Sequence, residues 1–176
     1  MSRLILPVDP ARDHAQGPDT APVTLVEYGD YECPHCGHAY PIVQRVQAQM
    51  GDSLRFVFRN FPLTELHPHA QHAAEAAEAA AESGKFWEMH DALFENQRHL
   101  ADADLKTLAE KVGADAAGIE AALTDHQYAG RVREDFLSGI RSGVNGTPTF
   151  FINGVRYDDS WDEATLLAAL QTAAGK

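Results

Sequence analysis

The chain has 176 residues, of which 44% are hydrophobic and 23% charged, and its formal net charge is -12. That length suits a single domain able to bury its own core, and the negative charge disfavours nucleic acid and anionic lipid, both of which recruit Lys and Arg. The run LILPV at residues 4–8 is too short for a secretory leader and no run reaches the roughly 18 apolar residues of a membrane span, so the expectation is a protein that is cytoplasmic as written, or exported if a leader has been removed, with no stable membrane insertion.

Residues 22–28, PVTLVEY, are apolar and β-branched with few polar breaks, which predicts a strand buried on both faces. After the short link GDYE comes CPHCGHAYPIVQRVQAQMG, in which Ile42, Val43, Val46 and Met50 recur at helical spacing and Gly51 supplies a stop. The cysteines therefore fall at a helix N-terminus. In SLRFVFRNF at 53–61, Leu54, Phe56 and Phe58 alternate with Arg55, Val57 and Arg59, a strand signal that completes a βαβ unit.

From Pro62 to about Ser142 the strand signal vanishes, and successive start and stop signals predict about five helices. Pro68 opens an alanine-rich helix, FWEMHDALFEN forms a second, Asp102 and Asp115 are candidate caps for two more, and HQYAGRVREDFLSGIRSG gives a longer one. Strand patterns return in GTPTFFINGVRY, with Asn153-Gly154 as a hairpin turn, and Ser160 with Glu163 reads as a capping box for the last helix. The expected architecture is α/β, with residues 1–61 and 143–176 as one discontinuous domain interrupted by a helical insertion at 62–142.

Cys33 and Cys36 are the only cysteines, and a bridge between them would close too small a loop to stabilise the fold much. Two thiols separated by two residues at a helix start do suit thiol–disulfide exchange, which needs an attacking thiolate and a second thiol close enough to resolve the mixed disulfide. Cys33 is the natural attacker, being nearest the positive helix end, and Cys36 the resolver. His35 can favour the thiolate further, against which stand the negative charges of Glu27, Asp30 and Glu32. Glu27 lies in the apolar strand; buried, it is a candidate proton acceptor for Cys36, whereas a paired structural carboxylate, with Arg55 or Arg59 as partner, is the plainer alternative.

Together, CPHC, the segment VTLVEYGDYECPHC around it and the distant VNGTPTFFING resemble the DsbA-like branch of the thioredoxin superfamily. The resemblance covers nearly the whole chain. It implies a thioredoxin fold with an all-helical insertion, Cys33 as nucleophile, Cys36 as resolving thiol and His35 as tuner of the redox potential. It also implies that Pro34, Thr147 and Pro148 meet the client, with Thr147 and Pro148 facing the cysteines and Pro148 following a cis peptide bond. The implied protein is a monomer without a bound cofactor that exchanges disulfides with protein thiols, oxidase direction first, and is recycled by an external redox partner. Thr147 departs from the valine expected in the oxidase type, which leaves isomerase or reductase activity as the alternative.

A zinc site combining Cys33 and Cys36 with His67 and His72 is disfavoured, because the gap from Cys36 to His67 is about twice that of zinc fingers. His67, His69, His72, His90, His99 and His126 are expected at the surface or at helix caps, and His38 at a solvated helix position. A peptide binder without turnover is a second rival, weakened by the presence of both cysteines; Phe61, Phe86 and Trp87 are expected in the core rather than on a binding surface.

Overall fold

A computed structural model describes residues 1–175. The chain folds into two compact units, one comprising Met1–Gly29, His38–Arg59 and the chain from Ser138 onward, the other Asp30–Gly37 and Asn60–Leu137. The boundaries differ from the expected ones mainly at the cysteine motif, which groups with the helical insertion rather than with the sheet.

The first unit holds a five-stranded sheet in the order β1-β3-β2-β4-β5, formed by β1 (His14–Gln16), β2 (Val23–Gly29), β3 (Leu54–Asn60), β4 (Thr149–Ile152) and β5 (Val155–Tyr157). β2 is buried almost throughout, as a central strand in a covered sheet should be. β4 runs antiparallel to it with Leu25 opposite Ile152 and Tyr28 opposite Thr149. The turn to β5 is made by Asn153 and Gly154, at φ 48° and 81°, the positive pair that a two-residue hairpin needs. Helix α1 (Pro34–Met50) buries Ala39, Ile42, Val43, Val46 and Met50 along one stripe, and α7 (Glu163–Ala173) packs Leu166 and Leu170 inward beside β2.

β3 departs from the expected alternation, since all of its residues are buried, arginines included. Arg59 is fully buried because each N–H of its guanidinium is taken: Nε and Nη2 form a two-pronged pair with Asp13 at 2.9 Å each, Nη1 donates to the Tyr28 hydroxyl and the Leu6 carbonyl, and Nη2 also reaches the Pro7 carbonyl. Thus Arg59 serves Asp13, not Glu27, while Arg55 lies 3.6 Å from Asp19. β1, which no sequence pattern announces, is a three-residue strand that exists by pairing antiparallel with β3.

The second unit contains α2 (Ala70–Ala81), α3 (Phe86–Glu95), α4 (Asp102–Val112), α5 (Ala116–Thr124) and the greater part of α6 (Ala129–Arg141). Alanines cover most of the circumference of α2 and are buried almost throughout, so small side chains let α3, α4 and α5 approach it. Asp115 caps α5, accepting the Gly118 N–H at 3.0 Å. Two expected caps are displaced. α4 is preceded by Ala101, with Asp102 as its first residue, and α7 is capped not by Ser160 but by Asp162, which accepts the Thr165 N–H and itself holds the Ser160 hydroxyl. Phe61 and Phe86 are core, Phe61 stacked on Phe136 with ring centroids 4.4 Å apart, whereas Trp87 is half-buried.

Candidate functional site

The cysteine motif is built around a buried carboxylate. Asp30, 1% exposed, directs Oδ1 to the N–H groups of Glu32 (2.8 Å) and Cys33 (3.2 Å), and Oδ2 to the N–H of Leu63 (2.9 Å) and to Nδ1 of His67 (2.8 Å). This is the way a short Asp closes a tight turn onto a following helix, with a second loop held by the other oxygen. The Glu32 carboxylate is likewise engaged, accepting the His69 N–H at 2.8 Å. Both acidic groups thus hold the backbone of the surrounding loops, and Asp30 also holds the His67 ring.

A second clamp acts on carbonyls. The side-chain amide of Gln97 donates to the carbonyls of Tyr31 (2.9 Å) and Cys33 (2.8 Å), and the Cys33 carbonyl also accepts the Gly37 N–H at 3.0 Å. Gly37 is needed for that approach, because a Cβ there would lie 2.0 Å from Oε1 of Gln97. The Tyr31 side chain completes the support: it is buried, its hydroxyl is 2.9 Å from Nδ1 of His90, and its ring packs on His90 and Phe94.

Cys33 immediately precedes Pro34, the first residue of α1, a position that suits proline because its missing N–H would have no helical acceptor. The Cys33 side chain therefore starts at the positive end of a 17-residue helix whose first turn carries no acidic residue. Cys33 and Cys36 are buried, at 3% and 0% exposure, while Pro34 and His35 are exposed. Glu27 is buried at 2% on β2, opposite Phe150. The Thr147–Pro148 peptide bond is cis and directly precedes β4, and both residues are half-buried.

The sequence does not disclose the supporting roles of Asp30, His67, His90 and Gln97. His90 is buried at 3%, not at the surface, and His67 is bound to Asp30. Neither His67 nor His72 joins the cysteines, since His72 is held by Asp102 at 2.6 Å. His38 is exposed beside Trp161. Polar residues such as Asp30, Glu32 and His67 flanking apolar segments hint at a network, but nothing in their spacing distinguishes a turn-closing Asp from a solvated one.

Residues 10–172 match the thioredoxin family. Among solved structures, the chain resembles oxidised BdbD from Bacillus subtilis at 25% identity, with a TM-score of 0.84 and coverage of 94% of this chain and 95% of that one. It also resembles a thioredoxin-like oxidoreductase from Silicibacter pomeroyi at 26% identity, with a TM-score of 0.82 and coverage of 96% and 95%. The α-DsbA1 protein of Wolbachia pipientis shares the fold, with a TM-score of 0.81 at 18% identity over 98% of this chain and 94% of that one. Among curated relatives, a Na(+)/H(+) antiporter NhaA 3 of Salinispora tropica is 49% identical over 97% of this chain. The chain spans about a quarter (26%) of the length of that relative.

Proposed function

Because the chain belongs to the thioredoxin family, in its DsbA-like branch, we propose that it exchanges disulfides with protein thiols through Cys33 and Cys36, in the oxidising direction. The observation that carries the reading is the double clamp on Cys33, its N–H on Asp30 and its carbonyl on Gln97, at the positive end of α1. A nucleophile held on a rigid turn keeps one attack geometry, and a helix whose first turn carries no acidic residue favours the thiolate that exchange requires. Asp30 and Glu32 are fixed in place by their backbone donors and keep their charge, so the oxidising direction rests on the helix terminus.

In the proposed cycle a client thiolate attacks Sγ of Cys33 in the Cys33–Cys36 disulfide, forming a client–Cys33 mixed disulfide and releasing the Cys36 thiolate. A second client thiolate then attacks the client sulfur of that bond, so the client leaves oxidised and both electrons remain on the reduced cysteine pair. An external partner withdraws those electrons. Pro34, Thr147 and Pro148 are assigned to client contact and His35 to tuning the pair by resemblance to the family, and Glu27, from its burial on β2, to accepting a proton from Cys36 when that thiol attacks during recycling.

No helix among the described residues is long and apolar enough to cross a membrane. We read the likeness to the antiporters as a shared thioredoxin-like segment, and carry no ion transport to this chain. The test is twofold. Cys33→Ser should abolish both oxidation of a dithiol peptide and reduction of insulin, and unchanged activity in either assay would sink the reading. The equilibrium potential of the pair against glutathione should then fall well above that of thioredoxin, about -270 mV; a value at or below it makes the chain a reductase.

A further inference from the structure

We propose that His72, Glu75 and His126 form a binding site for a late first-row divalent cation of the zinc type, separate from the cysteine motif. The three residues come from two parts of one helical unit. His72 and Glu75 lie three apart on α2 and so share a face, and His126 sits in the turn that follows α5, a helix packed on α2. One donor atom from each lies within 4.8 Å of the others.

Glu75 supplies the observation that points to a ligand. It is 1% exposed; its Oε2 accepts from Gln71 at 3.1 Å, but Oε1 has no hydrogen-bond donor among the described residues. Nδ1 of His126 is 3.9 Å away, beyond hydrogen-bond range. A carboxylate oxygen taken out of water without a donor forfeits its hydration and receives nothing in return, so such atoms normally have a partner. A cation beside Oε1 provides one.

The histidines are prepared for the same role. Asp102 accepts the Nδ1–H of His72 at 2.6 Å, which fixes the tautomer and leaves Nε2 with its lone pair outward, the usual arrangement behind a metal-bound imidazole. His126 has its backbone in the left-handed region at φ 53° and is exposed, so its ring can rotate. Ligand atoms on a tetrahedral zinc, with bonds of about 2.1 Å, stand about 3.4 Å apart, and small rotations of His126 and Glu75 close the present spacing. A cavity of about 340 Å³ lined by His72, Asp102, Lys106, Glu120 and His126 adjoins the cluster, giving water access to a fourth position. Lys106 is paired with Glu120 at 3.3 Å, so Glu75 and Asp102 leave the site negative. Two imidazoles and one carboxylate select zinc and its neighbours over calcium or magnesium, which take oxygen ligands.

The test uses the full chain, stripped of metal by a chelator and oxidised at Cys33 and Cys36 so that no thiolate can compete. Zinc titrated against a chromophoric chelator should bind at one equivalent per chain with micromolar affinity or better. His126→Asn, which tolerates the left-handed backbone, and His72→Gln should each weaken binding about tenfold or more, and Asp102→Asn by about tenfold. His99→Gln should change nothing. Zinc should also raise the unfolding temperature of the parent chain but not of His126→Asn, provided circular dichroism shows that variant folded. Absence of saturable micromolar binding, or binding as strong in the two histidine variants as in the parent chain, overturns the proposal.

Discussion

Asp13 and Asp30 are both carboxylates withdrawn from water, yet one holds the sheet together and the other holds a reactive turn. Asp13 faces charge above all, the guanidinium of Arg59 in a two-pronged pair whose side chains are both fully buried and that of Arg12 at 3.2 Å, and it also accepts the Asp9 N–H. Asp30 instead divides four contacts between backbone N–H groups of two loops and one histidine. The first arrangement neutralises a buried charge and makes the protein sensitive to any loss of either member. The second positions atoms, so its loss should be felt more in chemistry than in stability.

The largest effect should come from breaking the first. Arg59→Met removes the two-pronged partner of buried Asp13 and leaves it only Arg12 as counter-charge, and removal of one member of a buried pair costs about 3–5 kcal/mol. Urea unfolding should show that loss, while disulfide exchange by the folded fraction stays close to the parent rate. A comparable fall in exchange at full folding would erase the distinction between the two carboxylates.

Asp30→Ala should reverse the balance. Stability should drop by about 1–3 kcal/mol as donors are left without an acceptor, and exchange with a dithiol peptide should slow by up to about a hundredfold, since a displaced reactive atom loses its attack geometry. Stopped-flow measurement of the mixed-disulfide step checks this, and a variant that is destabilised but exchanges at the parent rate would reduce Asp30 to a structural role.

A third contrast is in pH. Burial disfavours ionised Asp13, but hydrogen bonds and charge contact from Arg59 outweigh it and hold the carboxyl below its usual 3.8. A depressed folded pKa contributes stability that is present above the unfolded value and lost as pH falls through the folded one. The parent chain should therefore lose stability below about pH 4, and Asp13→Asn should show a shallower loss over that window. Equal slopes would mean that Asp13 is not the titrating group.

The smallest expected effect is at Gly37. Gly37→Ala gains about 1 kcal/mol in helix propensity and loses about as much when Gln97 is pushed off the Tyr31 and Cys33 carbonyls. Thermal unfolding should barely move, while the potential of the cysteine pair shifts measurably. An unchanged potential would remove Gln97 from the functional account.

The same contrast governs what could be read from the sequence. β2, α1, β3 and the β4–β5 hairpin were legible because periodicity and the Asn153-Gly154 turn are local signals. β1 was not, because three residues make a strand only through their pairing with β3. The burial of Arg59 depends on Asp13, 46 residues away, so the alternation of arginines with apolar residues announced a strand but not that its arginines are buried. In the cysteine motif, Cys33, Pro34, His35 and Cys36 announced themselves by type and spacing. Asp30 was legible only as a charge, because its role depends on Leu63 and His67 beyond β3. Gln97 carried no signal at all.

If Cys33 attacks and Cys36 resolves, incubating the Cys36→Ser chain with a disulfide-bonded peptide should trap a one-to-one mixed disulfide that mass spectrometry maps to Cys33, whereas Cys33→Ser should trap little or none. Equal trapping by the two variants, or no adduct with Cys36→Ser, would contradict that division of roles.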